Sequence, residues 1–522
     1  MKKENHLKSI SWVMVIMLVG KLLSLVANQA YLSYFGAGDE KLNIFSWALQ
    51  IPNYLFQSLG TALASVVIPV FAALCVQGKR REANRFGSNI ITVSTIITLG
   101  LVIIGMGLSA VLPAFTDFTD KEYTALALRI MMPVMLFYSL SYIYQGILQS
   151  RNRFKSAALV NLPNGIVILL YLWLFADRFG VTGLLVAVVI GLFLQFAILV
   201  PPAHRAGFRY HPVLDLHDEN IRIAGRMTLP IILGASAYQF NMFFNNTMMT
   251  NVSPSSVSLF NFVQTLILSS VMTLVLAITS VEYPNLTAHA ATGDMGGFKD
   301  ALTATINGLI YLLIPITVGL ICLGRPLLTL ISLHGKVVPE NITTETEFLF
   351  MYSLCIVFLG LKEIIDRAFY SLQTTRISAI VGVMIMGINI VLGYVLSKFT
   401  SLEANGIPLA YSISVIAGTV FLIGMLRRKI GAFGGGILTV AWKTIVSAAI
   451  MGGAVWGLYH GLFGVLTADT IGNRLLLVFV PTILGALLFF FVSYLLKTPP
   501  ILEFISKLTH KGCDNHEGSV SD

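Results

Sequence analysis

Seven charged residues fall inside long apolar stretches: Lys21, Arg129, Lys362 and Arg367 are basic, and Glu282, Glu363 and Asp366 are acidic. Lys21 is the first, eleven residues past Ile10, where its apolar run begins. That is about 16 Å along a helix, near the middle of a bilayer roughly 30 Å thick. A charge at that depth costs at least about 2.5–3.5 kcal/mol unless it meets a partner, water or a ligand. Two roles are open to Lys21: contact with an anionic group in a central cavity, or a lysine bonded to helix carbonyls or snorkelling to one surface. Arg129 lies a turn or two inside the opposite surface, where snorkelling explains it. Asp366 and Arg367, near one end of their helix, read as an interfacial ion pair or a gate. Glu282, beside Pro284, reads as an interfacial acid or a partner in that gate.

Other chemistries lack their residues. No GxxxxGK[ST] loop is present to cradle ATP phosphates. No HExxH, GxSxG or acidic metal cluster appears, and no long loop is available to hold a catalytic dyad, so we expect no enzyme activity. Cys75, Cys322, Cys355 and Cys513 are scattered without a CxxC pair, so we expect no metal site, disulfide framework or cofactor. The net charge of +9 does not indicate nucleic acid, because the cations sit in short loops rather than in a basic domain.

The elements that must position these residues are membrane helices. Of 522 residues 56% are hydrophobic and only 11% charged, against about 25% charged in soluble domains. The weak alternation of a membrane β-barrel is missing. We expect an all-α polytopic protein of about fourteen helices, near 10–35, 43–75, 88–113, 124–148, 158–177, 181–202, 222–249, 256–283, 302–322, 346–371, 377–397, 405–427, 438–461 and 475–496. The start resembles a signal peptide, with Ala27–Ala30 as a cleavage site, but its apolar run reaches Phe35 and reads as an uncleaved first span. Of the 34 Lys and Arg, 23 fall in one alternating set of loops and 7 in the other, which places both termini in the cytoplasm. Residues after Pro500 start amphipathic (ILEFISKL) and then read as disordered.

The second and eighth helices align without gaps at an offset of 215: Phe45 with Phe260, Leu59 with Leu274, Ala62 with Ala277, Ser65-Val66 with Ser280-Val281, Pro69 with Pro284 and Ala73 with Ala288. We therefore expect a parallel repeat, with an N-lobe over 1–215, a C-lobe over 216–430, two further helices over 431–500 and a tail over 501–522. Such repeats place a substrate site between the halves near the midplane. Pro52, Gly60 and Pro69 are expected to interrupt the second helix, and Pro133 to break the fourth.

Residues 33–69, SYFGAGDEKLNIFSWALQIPNYLFQSLGTALASVVIP, resemble the MurJ (MviN) family of lipid II flippases, in the multidrug/oligosaccharidyl-lipid/polysaccharide exporter superfamily. The FGAG turn, the PN dipeptide and the final proline fall at family spacing, with one residue inserted near Asp39–Lys41. SRNRFKSAALVNLPN (150–164), LPIILGASAYQFN (229–241) and DRAFYSLQTTR (366–376) extend the similarity. The resemblance implies a multi-pass flippase of the bacterial cytoplasmic membrane that carries lipid-linked peptidoglycan precursor from inner to outer leaflet by alternating access. Its headgroup would occupy a cationic cavity and its tail a groove formed with the last two helices. Cations suit a diphosphate because they bind its oxygens through charge-assisted bonds. Its partners would be the lipid-linked oligosaccharide, the bilayer and cell-wall synthesis proteins, with the chain a monomer.

Several family cavity positions differ. The arginine of the first helix corresponds to Lys21, which keeps charge but loses the bidentate fork. The family's following Arg-Asp pair becomes Ala27-Asn28, the aspartate opening the second helix Asn43, the later arginine pair Phe56-Gln57, and the acid beyond it Thr61. The arginine of the eighth helix becomes Thr265, beside Gln264. The implied cavity is weakly cationic, lined by Lys21, Asn28, Asn43, Gln50, Gln57, Gln264 and Thr265. Its cargo is then lipid II, or another polyprenyl-linked glycan or amphipathic molecule. A non-transporting paralogue acting as a cell-wall scaffold is the remaining alternative. No midplane carboxylate for a coupled cation is evident in the sequence.

Overall fold

A computed structural model describes the backbone of residues 2–151, 153–432, 435–463, 466 and 470–502. Within its helices it describes side chains except at 2–15, 17–18, 55, 57–59, 61–66, 68–69, 72–73, 76, 219–220, 223–224, 226–237, 268–270 and 280. Among the described residues every regular element is helical. The order is α1 (Lys2–Phe35), α2 (Glu40–Val76), α3 (Arg80–Leu108), α4 (Lys121–Met131), α5 (Val134–Ser150), α6 (Phe154–Ala158), α7 (Pro163–Leu174), α8 (Ala176–Ala197) and α9 (Val200–Arg205). It continues with α10 (Glu219–Val252), α11 (Val257–Thr292), α12 (Met295–Ser332), α13 (Pro339–Ser353), α14 (Ile356–Ser371), α15 (Thr375–Phe399), α16 (Gly406–Ile430), α17 (Ile437–Phe463) and α18 (Ile471–Leu495). Among the described residues, ten segments have the length and apolarity to cross a membrane, or eleven if the bent pair α13–α14 counts as one span.

Local chemistry sets the ends. Asp120 caps α4 by accepting from the Tyr123 amide, and Asp294 caps α12 by accepting from Gly297. Gly36, in the FGAG turn after α1, takes φ +92°, a conformation that favours glycine. Pro133 separates α4 from α5 as its type predicts. The expected interruption of the second helix does not occur: α2 stays helical through Pro52, Gly60 and Pro69. A proline removes one ladder bond, and membrane helices tolerate that when neighbours pack around them. The sharper break, 41° between α13 and α14, comes without proline or glycine. There the Ser353 hydroxyl donates to the Leu349 carbonyl at 2.6 Å and the Cys355 thiol to the Tyr352 carbonyl at 3.2 Å. Such side-chain bonds to the preceding turn bend helices.

The backbone divides into two compact units. One comprises Met1–Phe262, His334–Val337 and Ser397–Ala404; the other comprises Val263–Leu333, Val338–Leu396 and Asn405–Asp522. In the first, a core of Phe71, Phe86, Ile143, Ile147, Leu199 and Phe208 joins α2, α3 and α5 to the loop after α9. That loop is strapped along α3: Asn89 Nδ2 donates to the Asp215 carbonyl at 2.7 Å, and Arg85 pairs with the Asp215 carboxylate at 2.9 Å. In the second, Leu323, Ala448, Met451, Val455 and Phe489 knit α12, α17 and α18 together.

Candidate functional site

In the first unit the orientation of Lys21 follows from its neighbour. A Cβ on Gly20 would stand 2.5 Å from the Asn161 Cβ, and one on Gly165 would stand 2.8 Å from Leu23 Cγ. Gly20, Leu23 and Ala27, one helical face apart by three and four residues, therefore form the packing face of α1. At about 100° per residue, Lys21, Ser24 and Asn28 fall on the adjacent face. Lys21 and Ser24 are exposed and Asn28 is half-buried; the Ser24 hydroxyl donates to the Gly20 carbonyl at 3.0 Å. Leu22 and Val26, 53% and 55% exposed, present a separate apolar face. Helix α1 thus exposes two chemically different surfaces. An apolar one suits lipid tails, and a polar one bearing a cation suits a hydrated or liganded space. Ser24 was not singled out from the sequence, although its spacing between Lys21 and Asn28 is the signal that finds it.

Asn43 has a different environment. It is fully buried, its Nδ2 donates to the carbonyls of Ala37 and Asp39 at 2.7 and 3.0 Å, and its Oδ1 accepts from the Ser258 amide at 2.8 Å. Its amide is committed to backbone, tying the start of α2 to the start of α11. Ser258 is the residue that the offset of 215 aligns with Asn43. The side chain of Gln57 lies outside the described residues.

In the second unit Gln264 is buried and donates to the Tyr352 hydroxyl at 3.1 Å. The Tyr352 ring meets that of Tyr411 edge-on, centroids 5.6 Å apart. Thr265 beside it is half-buried. Asp366 and Arg367 are not each other's ion-pair partners. Lys362 pairs with Asp366 at 2.6 Å and Arg367 with Glu363 at 3.0 Å, each one turn apart on α14. Adjacent residues on a helix point about 100° apart and do not face each other, whereas residues four apart do. Arg367 also lies over the Tyr283 ring at 5.5 Å, next to Glu282, whose Oε2 meets the Asn285 amide at 3.5 Å. Arg129 in the first unit donates to the Ser109 hydroxyl at 3.1 Å, at the end of α3.

A concavity of the second unit is apolar. A cavity of about 510 Å³ opens between α12, α17 and α18, lined by Pro315, Gly319, Leu323, Val455, Phe479 and Phe490, among others. Tyr311 closes one part against Phe489, ring centroids 5.1 Å apart. Hydrocarbon fits such walls, and a charged sugar does not. Gly319 has nothing within 4 Å of where its Cβ would be, so the space beside it is open.

Comparison with known proteins places this arrangement. The model of the family described as "Lipid II flippase MurJ" matches residues 32–466. The probable lipid II flippase MurJ of Vibrio cholerae serotype O1 is 24% identical over 470 residues, covering 87% of this chain and 88% of that protein. The corresponding protein of Treponema pallidum is 26% identical over 447 residues, covering 82% and 83%. A solved lipid II flippase MurJ in an inward closed conformation shares the fold, with a TM-score of 0.76 at 19% identity over 92% of this chain and 98% of that one. An inward-facing multidrug resistance MATE family transporter of the MOP superfamily follows, at TM-score 0.65 and 15% identity over 80% and 98%. With the family model matching most of its length, this multi-span helical membrane protein belongs to the MurJ family.

Proposed function

We propose that this chain is a flippase for lipid II, moving the undecaprenyl-diphosphate-linked sugar from the inner to the outer leaflet of the bacterial cytoplasmic membrane by alternating access. The observation that carries the reading, beyond family membership, is the separation of chemistries. Helix α1 exposes a cation on a polar face, and α12, α17 and α18 enclose an apolar cavity. A lipid-linked diphosphate needs both, a cation for phosphate oxygens and a dry wall for the isoprenoid chain. In this reading Lys21 and Asn28 contact the headgroup, with Ser24 between them, and the cavity takes part of the tail. Thr265 and Gln57 remain candidate headgroup contacts. Asn43 and Gln264 hold helices in place beside the headgroup route, and the α14 ion pairs with Glu282 form the inner gate. Fourteen crossings, a repeat of 1–215 with 216–430, both termini in the cytoplasm and a monomeric state complete the proposal, with no catalytic step.

The two committed amides favour one variation. With Asn43 and Gln264 already bonded within the protein, the headgroup contacts are few, which suits a less anionic lipid-linked glycan. Complementation decides between the two. The essential lipid II flippase is depleted in a bacterial host, this chain is expressed, and survival is scored together with exposure of lipid II on the outer leaflet. Rescue by the native chain and not by Lys21→Ala supports lipid II as cargo. No rescue by protein shown to be folded in the membrane overturns that cargo and transfers the proposal to another polyprenyl-linked glycan.

A further inference from the structure

A carboxylate that the sequence reading placed outside the spans is buried in the second unit. Glu345, the seventh residue of α13, is fully shielded from solvent, and neither carboxyl oxygen makes a hydrogen bond of ordinary geometry. Its surroundings are apolar, with Ile342, Phe348 and Leu349 of its own helix buried around it. Ser332, the last residue of α12, is the polar neighbour. Charged and titratable groups on neighbouring elements are exposed or engaged with other partners. Arg325 on α12 is exposed two turns away, Arg474 at the start of α18 donates to the Leu333 carbonyl at 2.6 Å, and Tyr411 on α16 lies against Tyr352. Glu347, on the exposed side of α13, takes the Asn405 amide at 2.6 Å. Glu345 has no part in the ion pairs Lys362–Asp366, Glu363–Arg367 and His289–Asp294 of this unit.

An ionised carboxylate in such a place carries a desolvation penalty of several kcal/mol with no opposing charge. A bound metal would need more oxygen ligands than one carboxyl and one hydroxyl, and no cluster of metal-ligating side chains occurs among the described residues. A proton neutralises the group with no other ligand. We infer that Glu345 is a proton-binding site, holding a proton in this conformation and releasing it to water when α13 moves about its 41° bend with α14. The step is a simple dissociation: the O–H bond breaks, the proton leaves to water, and the carboxylate remains until it is reprotonated. Proton binding stands on the burial of Glu345 alone. Coupling of that proton to transport rests on the flippase reading above.

The test separates the two. Infrared difference spectra of the purified full chain against Glu345→Gln, between about pH 5 and about pH 9, cover the range documented for buried glutamates. A protonated-carboxyl band near neutral pH, lost in Glu345→Gln and shifted in Glu345→Asp, is expected; its absence at every pH overturns the site. Reconstituted chain is then assayed for lipid II translocation with and without an imposed pH gradient. Native protein is expected to respond to the gradient and Glu345→Gln to lose that response while keeping gradient-independent turnover. An equal response in both variants overturns coupling. A titrating band in protein that moves no lipid II under any gradient leaves the proton site standing and sinks the cargo assignment. Lys21→Ala, which keeps the Glu345 environment, is expected to retain the band.

Discussion

The two units handle polarity in opposite ways. The first leaves a cation on an exposed polar face of α1, where a packing face fixed by Gly20 turns Lys21 outward. The second pairs the four charges of α14 locally. Lys362 and Asp366, and Glu363 and Arg367, satisfy one another within single helical turns, and its large cavity is apolar. An intramembrane charge paired within its own helix turn is structural by default, and one on an exposed polar face is a candidate ligand contact. In the proposed flippase reading, the first unit recognises the anion and the second the hydrocarbon.

Removing the displayed cation should produce the largest effect. Lys21→Ala is expected to abolish rescue of flippase-depleted cells, with Lys21→Arg retaining much of it because charge persists. Rescue by Ala and not by Arg would break the comparison. Filling the apolar cavity comes next. Gly319→Phe starts from a Cβ in open space beside the cavity and is expected to slow lipid II translocation about tenfold, an obstruction worth about 1.4 kcal/mol; unchanged translocation in folded protein would remove the cavity from the tail's path. Third, Lys362→Met leaves Asp366 without its cation and should destabilise the protein by about 1–3 kcal/mol, a figure below that of a fully buried pair because Lys362 remains 26% exposed. The double variant with Asp366→Leu should recover most of that loss in a thermal unfolding assay, and failure to recover would give the pair a role beyond its own neutrality.

Asn43→Ala tests the backbone tie. It should cost about 1–3 kcal/mol, because the Ser258 amide is left buried without an acceptor, and it should leave cargo preference unaltered. A change of cargo with normal stability would return Asn43 to the headgroup. The smallest effect is at the membrane surface. The Gly297 amide, and then His289, hold the Asp294 carboxyl below the usual carboxylate range. A depressed carboxyl stabilises the folded state above its unfolded pKa, and that contribution fades as pH falls through the folded value. Acidification should therefore lower the unfolding temperature slightly more in the native chain than in Asp294→Asn.

Much of this was legible in the sequence because hydrophobic length is a local property. The apolar runs, the break at Pro133 and the similarity carried by residues 33–69 needed no knowledge of neighbours. The partners of Asn43 and Gln264 were not legible. Each is a polar residue near a helix start, and nothing nearby in the chain distinguishes one facing a cavity from one bonded to a segment 215 or 88 residues away. Glu345 was missed for a related reason. With Glu347 two residues on, it reads as a solvated turn of helix, and only packing against α12 takes it out of water.

The sequence by itself determined that this chain crosses a membrane repeatedly as helices, because bilayer thickness and backbone hydrogen bonding leave an apolar chain few other solutions; its likeness to the lipid-linked exporters is carried by motifs such as residues 33–69. Only the tertiary structure decided which polar groups are exposed and which are buried against distant segments. A side chain's availability depends on what packs beside it, and contacts between distant segments have no periodic signature in the sequence.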